Sequence, residues 1–187
     1  MVKDVQFSSK NNLSMEWKRP NADEAAGYFN RYISQVEEID PIAVLKQSFQ
    51  SSRDLMLSLS LDQWDHRYAD GKWSIKEVWV HILDTERIFA YRALRFGRGD
   101  ETALAGFDQD TYIIPSNASN RSIASILEEY EAVRKATLTL YENFTSEALD
   151  RSGLASGNKV TVRAFAFIIA GHERHHVKGL RENYGVK

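Results

Sequence analysis

His172 and His176 stand four residues apart in the segment Gly171-His172-Glu173-Arg174-His175-His176. On an α-helix, residues at i and i+4 share a face, so both imidazoles can reach one point. At about 100° per residue, Phe165, Ile168, Ile169, His172, His176 and Gly179 fall on a single stripe. The pair therefore continues an apolar, core-facing side. A lone histidine in that position reads as a satisfied core residue. Two on one buried face would repel each other if both were protonated, and a divalent cation that binds both neutral rings removes the conflict. His175 points roughly 80–100° away from the pair by the same geometry.

A site of this kind needs a third ligand. His81 lies midway along another helical segment, on the flank of the apolar stripe Ile75, Val78, Trp79, Ile82 and Phe89 and beside Thr85. A flank position can still point into a bundle interior. His66 lies in a loop-like stretch over residues 62–71 and reads as a surface histidine. The chain has no cysteine, which excludes disulfides, thiolate metal sites and cysteine nucleophiles. Three neutral imidazoles plus water describe an open, catalytic type of site, in which the metal lowers the pKa of a bound water or thiol. Imidazole ligands accept zinc, nickel, copper or iron.

The same segment also matches H-E-x-x-H, with Gly179 and Glu182 extending it toward a metzincin-like pattern. That match makes Glu173 a general base. The strand-rich upstream subdomain of a zinc protease is missing from the pattern, so the short motif reads as a chance agreement. Glu173 then reads first as a solvated or supporting residue. Glu86 falls on an apolar stripe, as do Tyr130 and Arg134, which align with Ile123, Leu127 and Tyr141. Charges on such faces are rarely left unpaired, so a buried Glu86–Arg134 ion pair is expected. The functional alternative has Arg134 clamping a substrate carboxylate or the pair orienting a metal-bound histidine. Glu173 and Arg134 are thus the candidate catalytic residues. Trp73, Trp79, Phe89, Phe165 and Phe167 read as packing.

These side chains need long helices to hold them. Asp40-Pro41 is an N-cap followed by a favoured first helical residue, and the helix it opens runs to about Ser60. Ser74 with Glu77 forms a capping box that opens a second helix, running to about Phe96. A third runs from Asn120 or Ser122 to Phe144, and a fourth from Thr161 to Asn183. A shorter helix over Ala22 to Val36 precedes them. No alternating apolar pattern is long enough to compete as a strand. The expected fold is all-α, a four-helix bundle of the up-down type or a variant with a crossover, plus the short N-terminal helix. The Gly97–Asn120 connection is long enough to carry function.

Residues 1–16 read as a loose arm and 17–187 as a single bundle domain. A formal net charge of -2 gives no electrostatic pull toward nucleic acid or an anionic membrane. No apolar run has membrane-spanning length, and the polar N-terminus lacks the apolar stretch of a secretory signal, so a cytoplasmic protein is expected.

Gly71-Lys72-Trp73-Ser74-Ile75-Lys76-Glu77-Val78, followed by His81 and Asp84-Thr85-Glu86-Arg87, resembles the second helix of the DinB-like superfamily. Gly171 through His176 resembles its last core helix. Gly106-Phe107-Asp108, the stretch from Glu129-Tyr130 to Arg134, and the segment from Trp17-Lys18-Arg19-Pro20 onward also fit. The pattern is most similar to the YfiT-like branch of metal-dependent hydrolases. The resemblance implies a four-helix bundle, often a homodimer, with one divalent metal ion, zinc or nickel, on three histidines. Carried over, the ligands are His81, His172 and His176. It further implies a small-molecule substrate and either hydrolysis or transfer of a low-molecular-weight thiol such as bacillithiol or mycothiol. The alternative is a non-enzymatic, stress-associated metal-binding bundle. Fold alone does not choose among these.

Overall fold

The computed structural model describes residues 16–187. The expected arm over residues 1–16 lies, apart from Glu16, outside the described residues. The short first helix, α1 (Gly27–Ile33), is shorter than the span from Ala22 to Val36. Glu24 explains the difference. Its carboxylate accepts from the Asn21 backbone N–H and from Arg163, so local side-chain bonds compete with helix over residues 21–26.

Four long helices form the frame: α2 (Pro41–Ser58), α4 (Ile75–Gly97), α6 (Ile123–Glu142) and α8 (Val162–Tyr184). Each starts on a residue whose side chain satisfies the first free N–H groups. Asp40 accepts from Ile42 and Ala43, Ser74 and Glu77 complete the capping box, Ser122 accepts from Ser125, and Thr161 accepts from Ala164. Single-turn helices α3 (Leu61–Asp65), α5 (Gln109–Ile113) and α7 (Ser146–Asp150) lie between them.

α4 packs on α6 and α8, and α2 packs on the same two, so α2 and α4 lie across a diagonal. Cross-helix pairs give the directions. Lys46–Glu142 and Arg53–Glu131 make α2 and α6 antiparallel. The Trp79–Tyr130 ring contact, with Gly97 against Phe144, makes α4 and α6 parallel. Tyr184 bonded to the Trp73 carbonyl, with Phe96 beside Phe165, makes α4 and α8 antiparallel. α2 and α8 therefore run one way and α4 and α6 the other. Parallel sequential helices need a connection that returns along the bundle, and residues 98–122 supply it. This is the crossover variant of the expected bundle.

The expectation of no strands is corrected. β1 (Ser152–Ala155) and β2 (Asn158–Thr161) form an antiparallel hairpin with Ala155 opposite Asn158 and Ser152 opposite Thr161. Its two-residue turn has both residues left-handed, Ser156 at φ 53° and Gly157 at φ 76°, as a type I′ turn demands. Leu104 donates to the Leu154 carbonyl and accepts from the Ser156 N–H, which stitches the return connection to the hairpin. The apolar core forms two clusters, one around Phe165 and Phe96 and the other around Trp79 and Trp64. The buried polar residues Ser52, His81, Thr85, Glu86, Arg134, His172 and Glu173 lie between them along the helices. No helix among the described residues is long and apolar enough to cross a membrane.

Candidate metal centre

α4 contributes His81 and α8 contributes His172 and His176. The antiparallel crossing brings the three rings together. His81 Nε2 lies 3.1 Å from His172 Nε2, and His176 Nε2 lies 3.1 Å from the same atom. One ligand atom from each ring falls within 4.8 Å of the others. His81 is buried at 2% exposure, so the flank position does turn inward. His66 is exposed at the end of α3, and His175 is exposed on α8; neither joins the cluster.

The cluster fits a metal ion on its own chemistry. A nitrogen pair bound to one ion at about 2.0–2.1 Å is separated by about 2.9–3.4 Å for angles from square to tetrahedral. Protons alone fit less well. A neutral imidazole nitrogen either donates one bond or accepts, and His172 Nε2 faces two other ring nitrogens. An ion at the centre engages all the lone pairs at once. Burial pushes His81 down to about 4 and drives His172 and His176 well below the usual histidine range, with the neighbouring positive charges adding to the effect. The rings are neutral near pH 7, the state in which they ligate. Thr85 Oγ1 lies 3.4 Å from His81 Nδ1, on the side away from the cluster.

The rings are also held by packing. Tyr32 meets His172 edge-on at 5.1 Å between centroids, and Trp73 lies 4.8 Å from His81. Trp79, Phe89, Phe165 and Phe167 are core residues, as expected. Trp73 packs against the second core cluster as expected, but it is half-buried and also lines a cleft.

The two candidate catalytic residues turn out to belong to one buried network. Glu173 is not solvated. Its carboxylate accepts from Ser48 Oγ (2.9 Å), Ser52 Oγ (2.6 Å), Tyr130 OH (2.7 Å) and an Arg134 Nη2 N–H (2.6 Å). Four donors fill the four lone-pair sites of a carboxylate, so the general-base role suggested by H-E-x-x-H has no free lone pair to work with. Burial works against the charged form, but Arg134 and the hydrogen bonds outweigh it and keep Glu173 below the usual carboxylate range. Arg134 is fully buried, and its five N–H donors go to Glu86 (two), Glu173, the Leu45 carbonyl and Ser48. No donor remains for a substrate carboxylate. The expected Glu86–Arg134 pair is present and bidentate, at 3.0 and 2.9 Å.

Two clefts flank the histidines. One, of about 710 Å³, is lined by Trp73, His176, His175 and Tyr68. The other, of about 480 Å³, is lined by His172, Thr85, Arg92, Tyr32 and Phe107. Asp110, at the start of α5 in the return connection, lines both. Sequence periodicity did not single out Asp110 or Arg92. The length of the Gly97–Asn120 connection was the available signal for Asp110; Arg92 gave none.

The chain belongs to the DinB superfamily, whose family model matches residues 45–179. It is 25% identical over 126 residues to a proposed metal-dependent hydrolase of Oceanobacillus iheyensis, covering 66% of this chain and 72% of that one. Among solved structures it is similar to YfiT of Bacillus subtilis, described as a proposed metal-dependent hydrolase with an unusual four-helix bundle topology. That match has a TM-score of 0.65 and 18% identity, covering 94% of this chain and 99% of the other. A DinB-like protein of Bacillus subtilis, YjoA, matches at a TM-score of 0.55 and 22% identity over 75% of this chain and 85% of that one. At these identities the structural matches speak to the fold.

Proposed function

We propose that this protein is a metal-dependent enzyme acting on a small molecule, with His81, His172 and His176 as the ligands of one divalent ion, zinc or nickel. The carrying observation is the convergence of three ring nitrogens within 4.8 Å of one another, two of the pairs at 3.1 Å, beside two open clefts. The relative from Oceanobacillus iheyensis, a proposed metal-dependent hydrolase, supports the same class. A divalent ion held here supplies Lewis acidity, which makes water or a thiol nucleophilic near neutral pH. The protein's own part is positional. Thr85 fixes the His81 ring from behind, Tyr32 and Phe89 wall in His172, and Trp73 walls in His81. Glu173 and Arg134 fix α8 against α2, α4 and α6 and take no proton from the substrate. Asp110 is exposed and lines both clefts, which supports it as the carboxylate that accepts a proton from the nucleophile. Water as nucleophile makes the protein a hydrolase; a low-molecular-weight thiol makes it an S-transferase.

Elemental analysis of protein purified without chelator or metal-affinity resin tests the ligand set. Wild type is expected to carry one ion per chain and His172→Ala to carry almost none. Equal, negligible metal in both would sink the proposal. Ester, amide and thiol-conjugation panels on the loaded protein then separate hydrolase from transferase.

A further inference from the structure

Arg92 is 3% exposed, yet it has no carboxylate partner among the described residues. Every other buried guanidinium or carboxylate of the bundle core is paired. One Nη2 bonds the Ala105 carbonyl at 2.8 Å and the Ser156 hydroxyl at 3.0 Å. Nε and Nη1 have no hydrogen-bond partner among the described residues. The guanidinium lies 6.0 Å from the Phe89 ring centroid and 5.9 Å from that of Phe107, and Arg92 lines the cavity that reaches His172. A buried cation without a counter-charge is costly, and structures retain one where something else supplies the charge.

Two elements hold it. Ser156 lies in the type I′ turn of the hairpin, and its hydroxyl accepts from Arg92. The Ala105 carbonyl comes from the return connection. Hairpin turn and connection thus meet on Nη2 and leave the Nη1 and Nε hydrogens without a protein partner in a side chain that lines the cavity.

We propose that Arg92 is an anion subsite that binds the oxyanion group of a small molecule, carboxylate or phosphate, whose apolar body lies against Phe89 and Phe107 beside His172. The free Nη1 and Nε hydrogens of the guanidinium donate charge-assisted hydrogen bonds that an oxygen of either group accepts. Burial holds the Arg92 pKa below its usual value, the sign of a cation without local compensation. Asp108 and Asp110 line the same cavity from α5, but both are exposed, so solvent screens their charge more than that of Arg92. The inference rests on the proposed function only for what happens at His172; anion binding itself needs only Arg92.

The test is calorimetric titration of the metal-loaded protein with phenylacetate, phenyl phosphate and the neutral phenylacetamide, with metal content measured on the same samples. At least one oxyanion is expected to bind wild type about tenfold or more tightly than phenylacetamide. Arg92→Met is expected to abolish that preference, and Arg92→Lys to keep part of it. Which oxyanion binds better assigns carboxylate or phosphate. Equal affinity for phenylacetamide, no binding of either oxyanion to wild type, or an unchanged preference in a folded Arg92→Met would each overturn the proposal. Arg92→Gln stands in where Arg92→Met fails to fold, and titration of metal-stripped wild type separates Arg92 from a bound ion, which itself attracts oxyanions: loss of the preference on stripping would overturn the proposal. Arg92-dependent binding by protein that takes up no metal would uphold the subsite while refuting the metal centre, so the two failures are distinguishable.

Discussion

The single residue that most constrains this molecule is Arg134. It carries one positive charge between two buried carboxylates, Glu86 and Glu173, at 2.9 and 2.6 Å. Removing it leaves two uncompensated negative charges in the core, the situation in which breaking a buried pair costs about 3–5 kcal/mol. Arg134→Met is therefore expected to lose about that much stability in urea unfolding, and a loss below about 1 kcal/mol would refute the structural role. Asp110→Asn probes the opposite kind of residue. Asp110 is exposed, so stability and metal content should stay as in wild type while turnover on the active substrate falls about 100-fold. Unchanged turnover would remove Asp110 from the chemistry. The sequence made the histidine pair and the Glu86–Arg134 pair legible because each of the four residues lies on the apolar stripe of its own helix. It hid the surroundings of Glu173, because Ser48 and Ser52 lie on α2, more than 120 residues away. Periodicity reports which face is buried and is silent about which polar atoms meet there.

At the scale of elements, α1 shows how a minor helix shapes the site. It crosses α8 at Gly171, where an added Cβ would sit 1.9 Å from the Tyr32 carbonyl oxygen. Backbone cannot yield that much in place, so α1 must lift. That lifts Tyr32 from His172 and loosens the cavity wall. Gly171→Ala is expected to cost about 1–3 kcal/mol and to speed hydrogen exchange across α1, with the exchange of α2 and α6 little changed. Wild-type exchange in α1 would mean that the crossing tolerates a methyl group. The hairpin was illegible for a related reason. Its strands have four residues each and are too short to show alternation, and only the Ser156-Gly157 turn pair marks them. Long helices with caps were readable to within a few residues; elements fixed by contacts far along the chain were not.

The whole molecule is arranged so that its polar layer and its histidine cluster lie at neighbouring levels of the bundle. α4 and α6 run parallel, which requires the return connection, and that connection brings α5 and Asp110 over the histidines. Sequence left open whether the bundle was up-down or had a crossover, because loop length sets the topology only once helix directions are known. Above and below the polar layer lie separate apolar clusters. At the histidine cluster α4 and α8 face each other through His81, His172 and His176 instead of through apolar side chains. An ion bound there joins the two helices at a level where the hydrophobic contact is interrupted. Ligand binding to the native state alone stabilises by RT ln(1 + [L]/Kd), about 2.7 kcal/mol at one hundred times Kd. Stripping the metal is therefore expected to lower the melting temperature of wild type, and restoring zinc or nickel to raise it with the logarithm of free metal concentration. His172→Ala should melt at one temperature with or without chelator. A wild-type melting temperature that ignores both chelator and added metal would mean that the three histidines hold the helices without an ion.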